Sequence, residues 1–344
     1  MKPQKSTQTI PTSPVGFILY VTKGHRAILT LLVLIILIEE VTVALGPYLL
    51  SRIIDTASMG SGDEAALIVA SVGMLLLTYV VVRMFSFTMT RLSAVVLHIN
   101  AKRLRTDSFR ILFDHLSKHS ATFFTDRFAG SVSSDVSVVA ENTVNLTQFV
   151  TRAFLTLVFS IVVSSILIAS ANIYLGLFFI GGIIVLVPLN YFLAKRSSLL
   201  AKEVVKILSK LKGGVVDTIT NFTTVQQFAR QEQELASLDV ALIDYQKKSL
   251  ASNFYSEKVI LLNNAIVVVL FMGGLFYVSF MLWSSGAITL GEFILVITLS
   301  GNFMRSLSNV GNWIINFGTM YGTTDKALSQ ILLPHDVTDR EDAG

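Results

Sequence analysis

Six windows of about 20 apolar residues constrain this chain more than any other feature of its sequence. Each window is long enough to cross the hydrocarbon core of a bilayer as a single helix. The windows lie at residues 27–50, 66–90, 149–169, 175–194, 259–283 and 291–316. Only 15% of the 344 residues are charged, whereas a water-soluble domain carries about 25%. The sequence therefore predicts an all-α polytopic membrane protein with six transmembrane helices.

The spacing of the windows separates short turns from long polar connections. Residues 169–174 and 284–290 are uncharged turns that join the third window to the fourth and the fifth to the sixth. We call the two long connections the first arm (residues 91–148) and the second arm (residues 195–258). Neither arm contains proline, and apolar residues recur in them at helical spacing. We therefore expect both arms to be helices that continue out of the membrane.

The distribution of positive charge predicts the orientation in the membrane. Loops that stay in the cytoplasm carry an excess of Lys and Arg, and here that excess lies in both arms and in the N-terminal segment. We expect both termini in the cytoplasm and the protein in a bacterial inner membrane, with a mitochondrial membrane as the open alternative. The net charge of +4 then needs no nucleic-acid partner. Residues 1–24 are predicted to be a cytoplasmic tail with an interfacial helix, and residues 25–333 the six-helix domain.

Composition and motifs predict no chemistry within the chain itself. There is no cysteine and there are only five scattered histidines, which argues against thiol chemistry, disulfides and a metal centre. The sequence also lacks a Gly-x-x-x-x-Gly-Lys-Ser/Thr phosphate-binding loop and a dinucleotide fingerprint. We therefore expect no catalytic, metal-binding or cofactor-binding residue in this chain.

Polar residues in the sixth window are candidates for a binding site. They recur at spacings of three and four residues and fall within about 80° of arc on a helix. We call them the polar stripe: Asn302, Arg305, Asn309, Asn312 and Asn316. Because such a stripe is costly against lipid, we expect it to line a translocation pathway. The alternative is that its side chains hold neighbouring helices together through hydrogen bonds.

Two acidic residues, Glu39 and Glu40, lie in the middle of the first window. An intramembrane acid is a candidate for attracting a cationic substrate or carrying a proton, and an ion pair that fixes helix packing is the alternative. By depth, either residue could pair with Arg305. Since adjacent residues on a helix point about 100° apart, we expect only one of the two to face the interior.

Three local stretches carry a family resemblance. Residues 123–136 near the end of the first arm read FFTDRFAGSVSSDV, residues 217–232 in the second arm read DTITNFTTVQQFARQE, and residues 286–293 before the sixth window read GAITLGEF. In this order between six windows, they resemble the transmembrane domain of an ATP-binding-cassette (ABC) exporter, of the type that exports drugs, lipids and peptides. The resemblance spans about residues 15–333.

The resemblance implies a function and its partners. In ABC exporters two such domains form a homodimer or heterodimer in the lipid bilayer, and nucleotide-binding domains that hold ATP and Mg²⁺ drive an amphipathic substrate out of the cytoplasm by alternating access. Two coupling helices transmit the motion to the membrane. The residues implied for that coupling here are Phe123, Phe124, Asp126, Gly130, Ser134, Asp135, Ile219, Thr224, Val225, Gln226 and Phe228.

Some features depart from the family pattern. Asp217 stands where Glu is usual, and Gln226 and Gln227 stand where a Lys-Ala pair is common, which puts a charge contact there in doubt. Residues 334–344 are interpreted as the start of a linker to a nucleotide-binding domain, unless that domain is a separate subunit. The rival function is a self-sufficient transporter driven by an ion gradient through Glu39 and Glu40, which predicts inverted repeats and broken helices near the midplane.

Overall fold

The computed structural model describes residues 10–58, 65–120, 123–124 and 129–334. Within these ranges, the side chains of residues 129, 194, 198, 305–312 and 314–315 lie outside the description. Apart from short turns, the described chain is helical.

The helices follow the chain in the order that the windows predict. The N-terminal helix α1 is Pro14–Thr22, the first span is α2 (Arg26–Ser58), and the second span is α3 (Ala65–Leu116). The third span consists of α4 (Ala129–Gln148), a π-helical segment (Phe149–Phe154) and α5 (Leu155–Ala171). The fourth span is α6 (Ile173–Thr220), which is followed by the short helix α7 (Phe222–Gln227). The fifth span consists of α8 (Gln231–Ile266), a π-helical segment (Val267–Met272) and α9 (Gly273–Ser284), and the sixth span is α10 (Leu290–Ile331).

The predicted fold class is confirmed. By length and hydropathy, the first five spans are each long and apolar enough to cross a membrane. The sixth span begins with a shorter apolar stretch, Leu290–Met304, after which the side chains are largely outside the description. The protein is therefore an all-α integral membrane protein with five complete spans in the described residues and a sixth that begins as predicted.

Long helices carry the spans into the arms. α3 contains 52 residues and α6 contains 48, so each is about 70 to 80 Å long at 1.5 Å per residue. The hydrocarbon core of a bilayer is only about 30 Å thick. The prediction of helical arms is therefore confirmed. We call the end where the arms project the arm side, and the opposite end the turn side.

The third to sixth spans form the core of the membrane part. Phe271 lies at its centre, with its ring centroid 5.8 Å from that of Phe179 and 5.9 Å from that of Phe303. The buried apolar residues of this core are Ile168, Leu175, Phe179, Leu186, Val267, Phe271, Leu275, Ile288, Leu295, Val296, Leu299 and Phe303.

Two glycines let the fourth and fifth spans approach closely. A Cβ atom at Gly182 would lie 2.2 Å from the Phe271 ring, and one at Gly274 would lie 2.9 Å from Cζ of Phe178. Each span therefore places an aromatic ring against a glycine of the other. The neighbouring Gly181 has nothing within 4 Å of such a Cβ, so the close contact is confined to one face of α6.

A second core lies on the arm side. It joins α1, the first arm and the end of α10 through Phe17, Val21, Leu104, Leu112, Leu116, Phe123, Val136, Val139, Val144, Ala327, Leu328 and Ile331, and we call it the arm core. Phe17 is fully buried there, whereas Val15 and Leu19 on the same helix are exposed. α1 thus packs on the domain through one face, and contact of its other face with the membrane interface stays a prediction.

On the turn side, one carboxylate joins the first and sixth spans. Asp55 accepts hydrogen bonds of 2.8 Å from the Thr289 hydroxyl and from the backbone N–H of Gly291. Thr289 is the N-cap of α10, in a capping box with Glu292. Position 291 requires glycine, because a Cβ there would lie 2.1 Å from the backbone oxygen of Ser51. The stretch GAITLGEF is thus a helix start docked on the first span.

Candidate functional site

Glu39 lies at the centre of a polar cluster that joins the first three spans. Its carboxylate accepts two hydrogen bonds from the Arg152 guanidinium, Nη1 to Oε2 at 2.7 Å and Nη2 to Oε1 at 3.1 Å. From the second span, Thr90 donates to Oε1 and Ser93 donates to Oε2, each at 3.0 Å. We call Glu39, Thr90, Ser93 and Arg152 the carboxylate cluster.

The cluster compensates the Glu39 carboxylate for the loss of water. The side chain is 6% exposed, and a buried charge is costly unless it is both paired and hydrogen-bonded. Four donor groups from two other spans meet that requirement, and the paired charges are bidentate, which is the strongest geometry for an Arg–carboxylate contact. The cluster therefore ties the first, second and third spans together inside the membrane part.

Glu40 is buried as well, which corrects the prediction that only one of the two acids faces the interior. It interacts with Ser160 of the third span, whereas Glu39 reaches the second span through Thr90 and Ser93. The two side chains do diverge, but the second, third and sixth spans all pack against the first. The prediction assumed a helix with one buried face, and that assumption fails here.

Arg152 is the cation that Glu39 binds, whereas the sequence predicts that either Glu39 or Glu40 could pair with Arg305. The side chain of Arg305 lies outside the described residues. Arg152 belongs to the π-helical segment of the third span, and such segments are frequent at functional sites. This residue is absent from the sequence-based predictions, because a single cation at the edge of an apolar window does not interrupt it.

A signal for Arg152 is nevertheless present in the sequence. Asn145, Gln148, Arg152 and Thr156 recur at spacings of three, four and four residues, which is the pattern that identified the polar stripe of the sixth window. A search for polar residues three and four positions apart, extended to the third window and the end of the first arm, therefore finds these four residues.

An open groove of about 590 Å³ lies beside the carboxylate cluster, between the second, third and sixth spans. We call it the inner groove. Arg152 belongs to both the cluster and the groove, and 38% of its side chain is exposed. Phe149 packs edge-on against Trp313, with ring centroids 6.4 Å apart. The groove is lined by Leu97, Asn145, Gln148, Phe149, Arg152, Ala153, Thr156, Trp313, Asn316 and Met320.

The described part of the polar stripe is only partly at the groove. Asn316 lines it, and Asn302 is half-buried nearer the start of the sixth span. The side chains of Arg305, Asn309 and Asn312 lie outside the described residues. The prediction that the whole stripe lines a pathway therefore stays a prediction, and the third span contributes the larger described set of polar groove residues.

The predicted coupling residues of the first arm have different environments. Phe123 is only 5% exposed and belongs to the arm core, where its ring stacks on His119 with centroids 4.1 Å apart. Phe124, Gly130 and Ser134 are exposed, and Asp126 lies outside the described residues. The Phe123 ring therefore packs inside the arm core, whereas the Phe124 ring lies at the surface of the first arm.

Asp135 is half-buried where the first arm faces the end of α10. Burial raises the pKa of its carboxyl above the ordinary value, while the positive charge of Lys326 acts in the opposite direction and favours the ionised form. This predicted coupling residue thus interacts electrostatically with the last helix of the domain.

The tip of the second arm is a short helix with apolar side chains on its surface. Ile219 and Phe222 are exposed before and within α7, and Phe228 is 69% exposed just after it. Ala229 has φ +51°, in the left-handed region, and turns the chain from α7 into α8. The other predicted residues here also lie at the tip: Thr224 and Gln226 are exposed and Val225 is half-buried.

Comparison with known families decides the identity of this helical domain. The family model described as the ABC transporter transmembrane region matches residues 29–307, which is most of the chain. The chain belongs to that family. The match to the ABC transporter transmembrane region includes Glu39, Glu40, Arg152 and both arms, and it ends before the last three residues of the polar stripe.

Solved structures agree with this ABC transporter transmembrane region in fold. Matching chains number 240, and one is described as the structure of a bacterial Atm1-family ABC exporter with ATP bound. It superposes with a TM-score of 0.73 and 20% identity over 92% of this chain, and the chain spans 56% of its length. At this identity the similarity concerns the fold. No curated protein sequence matches the chain.

Proposed function

We propose that this chain is the transmembrane part of an ATP-driven exporter that moves an amphipathic lipid, drug or peptide out of the cytoplasm or the inner leaflet. Two such domains act as a dimer and alternate between inward-open and outward-open states. Nucleotide-binding domains, fused or separate, hold ATP and Mg²⁺ and supply the energy. In this proposal the arm side is the cytoplasmic side and both termini lie there.

The observation that carries the proposal is the apolar tip of the second arm. Ile219, Phe222 and Phe228 are exposed at the end of a helix that extends far beyond the membrane. Exposed apolar groups in a cluster mark a surface that a partner covers. A nucleotide-binding domain is the partner of this position in ABC exporters, and the tip of the first arm, with Phe124 at its surface, supplies the second contact.

The second arm also supports the proposed dimer. Its helix α8 packs mainly on α6 and, apart from its own continuation into the π-helical segment, on little else among the described residues. Several apolar side chains of the arm are exposed, among them Leu199, Val205, Leu250 and Phe254. These residues lie on the arm side rather than in the membrane part, so a second copy of the domain is the cover that we propose.

The inner groove supports the transport function. It is open, it lies between three spans, and it combines aromatic rings with amide side chains. Most binding sites for small molecules share this combination of apolar lining and a few polar groups. The spans that surround it are helical throughout the described residues, so no observation favours the gradient-driven alternative with its broken helices.

A charged residue at the tip tests the proposed coupling. In the complete transporter in proteoliposomes, we expect Phe228→Glu to reduce ATP-dependent transport of substrate about tenfold while basal ATP hydrolysis persists. The reason is that a buried charge in a docking surface costs several times the thermal energy. ATP hydrolysis and vesicle uptake of substrate are measured on the same preparation.

Val240→Glu is the matched control. Val240 is as exposed as Phe228, at 69% each, and lies on the same arm but nine residues into α8. The substitution Val240→Glu should leave the coupling between ATP hydrolysis and transport unchanged. Equal coupling in Phe228→Glu and wild type would contradict the assignment of this tip as the docking site.

A further inference from the structure

The inner groove contains a cation whose charge is already cancelled. The Arg152 guanidinium is bound in bidentate fashion by Glu39, at 2.7 and 3.1 Å, while its side chain also lines the groove. An anion that entered the groove would have to compete with a carboxylate that is fixed by Thr90 and Ser93. The pair thus removes the electrostatic attraction that a lone arginine would offer to an acidic ligand.

The other polar groups of the groove are neutral. Asn145, Gln148 and Asn316 are amides, and Thr156 is a hydroxyl. Each amide offers both donors and acceptors, which is the complement of an amide or peptide group in a ligand. No other Asp, Glu, Lys or Arg is among the lining residues of the described groove.

Aromatic rings complete the groove. Phe149 contacts both Trp313 and Phe317, with ring centroids 6.4 and 5.3 Å away. Rings of this kind bury an apolar chain or a flat group of a ligand. The groove therefore offers amide hydrogen bonding next to an apolar surface, with no net charge at Arg152.

From these contacts we infer that the inner groove selects an uncharged amphipath that carries amide groups, and that the Glu39–Arg152 pair is the element that sets this charge preference. The inference rests on the proposed function, since it names the class of substrate that the groove would take. Glu39 acts here through Arg152 and is a positioning residue, whereas Arg152, Asn145, Gln148 and Asn316 contact the ligand.

The chain carries its own reporter for a binding test. It contains two tryptophans, of which Trp313 lines the groove and Trp283 lies at the turn side. In nanodiscs, Trp283→Phe leaves Trp313 as the sole tryptophan of these 344 residues. The probes are N-decanoylglycinamide, N-decanoylglycine and N-decanoyl-ethylenediamine, each with brominated acyl chains that quench tryptophan. They differ mainly in head-group charge: neutral, negative and positive.

We expect the neutral probe to quench Trp313 at the lowest concentration. Glu39→Gln should shift the preference toward the negative probe by about tenfold, because it leaves the Arg152 charge unpaired. Arg152→Gln should shift it toward the positive probe. The double variant Glu39→Gln/Arg152→Gln should restore the neutral preference, which a merely structural role for the pair does not predict.

Two controls separate the alternatives. Glu40→Gln removes an adjacent buried acid that acts on Arg152 only through its charge and forms no salt bridge with it, and it should change the order of the probes less than Glu39→Gln does. The variant Trp313→Phe, which retains Trp283, measures quenching by probe dissolved in the lipid.

The outcomes are distinct. If the wild type prefers the negative probe, or if the single variants lose binding without a change in charge preference and the double variant does not recover it, the inference is wrong. If no probe quenches Trp313 beyond the lipid background in the wild type, the groove is not a ligand site, and it is the proposed transport role of the groove that fails.

Discussion

At the scale of single residues, buried carboxylates do the joining in this protein. Glu39 joins the first span to the second and third, and Asp55 joins it to the start of the sixth. Both accept hydrogen bonds from helices that are distant in sequence. A carboxylate has several acceptor sites, so one such residue can fix more than one neighbouring helix.

Asp55 provides a residue-scale prediction. Asp55→Ala removes the acceptor of the Gly291 N–H and the Thr289 hydroxyl, and the loss of such hydrogen bonds to a buried charged group costs about 1.5–3 kcal/mol. We expect a lower thermal unfolding midpoint in detergent. The control is Asp114→Ala, which breaks an exposed ion pair with Lys118 worth at most about 0.5 kcal/mol. Equal midpoints for both variants would contradict a structural role for Asp55.

At the scale of helices, close packing of the fourth and fifth spans depends on glycine. Gly182→Ala drives a methyl group into the Phe271 ring, and overpacking of this kind costs about 1–3 kcal/mol. Gly181→Ala is the adjacent control, since nothing lies within 4 Å of its Cβ position. We expect a lower unfolding midpoint for the first variant alone, and partial recovery when it is combined with Phe271→Leu. Equal effects of the two glycine substitutions would show that helix propensity, and not packing against Phe271, determines the change in the unfolding midpoint.

Helices are also the level at which the sequence was most informative. The spans and both arms could be predicted because apolar length and helical spacing are local properties of the chain. The sixth window begins at residue 291, next to the observed start of α10 at Leu290, for the same reason. What a helix contacts is not local: the burial of both Glu39 and Glu40 depends on spans that pack on two sides of the first.

The groove shows the same limit. Polar spacing in the sequence marks Asn316 in the sixth span and Arg152 with its neighbours in the third, but only the packing of the second, third and sixth spans brings them together in one groove. Phe123 illustrates the converse, because the motif that includes it indicates a coupling tip but does not reveal that its ring is buried in the arm core.

At the scale of the whole molecule, the second arm predicts association of two copies. Leu250 and Phe254 are exposed on the same face of α8. Replacing both by Glu places two negative charges in the proposed interface, and we expect the dimer fraction in nanodiscs, counted by single-molecule photobleaching of a labelled chain, to fall from most molecules to few. The control Lys248→Glu changes the net charge by the same amount on the opposite face of the helix and should leave the dimer fraction unchanged. Dimers that survive the double substitution would assign the interface to another surface.

The uninterrupted length of α6, which runs from the membrane part to the tip of the second arm, has a mechanical consequence. A stiff helix that extends about 37 Å beyond the bilayer, which is 25 residues at 1.5 Å each, behaves as a lever with its fulcrum in the membrane. A tilt of about 10° at the fulcrum displaces the far end by about 6 Å, which is more than the rise of one helical turn of about 5.4 Å. Conversely, a displacement of several ångströms at the tip corresponds to a rotation of only about 10° where the spans meet. A flexible Gly-Ser segment inserted in α6 between the membrane and the tip would remove this stiffness. A displacement of the tip would then no longer rotate the helix where the spans meet.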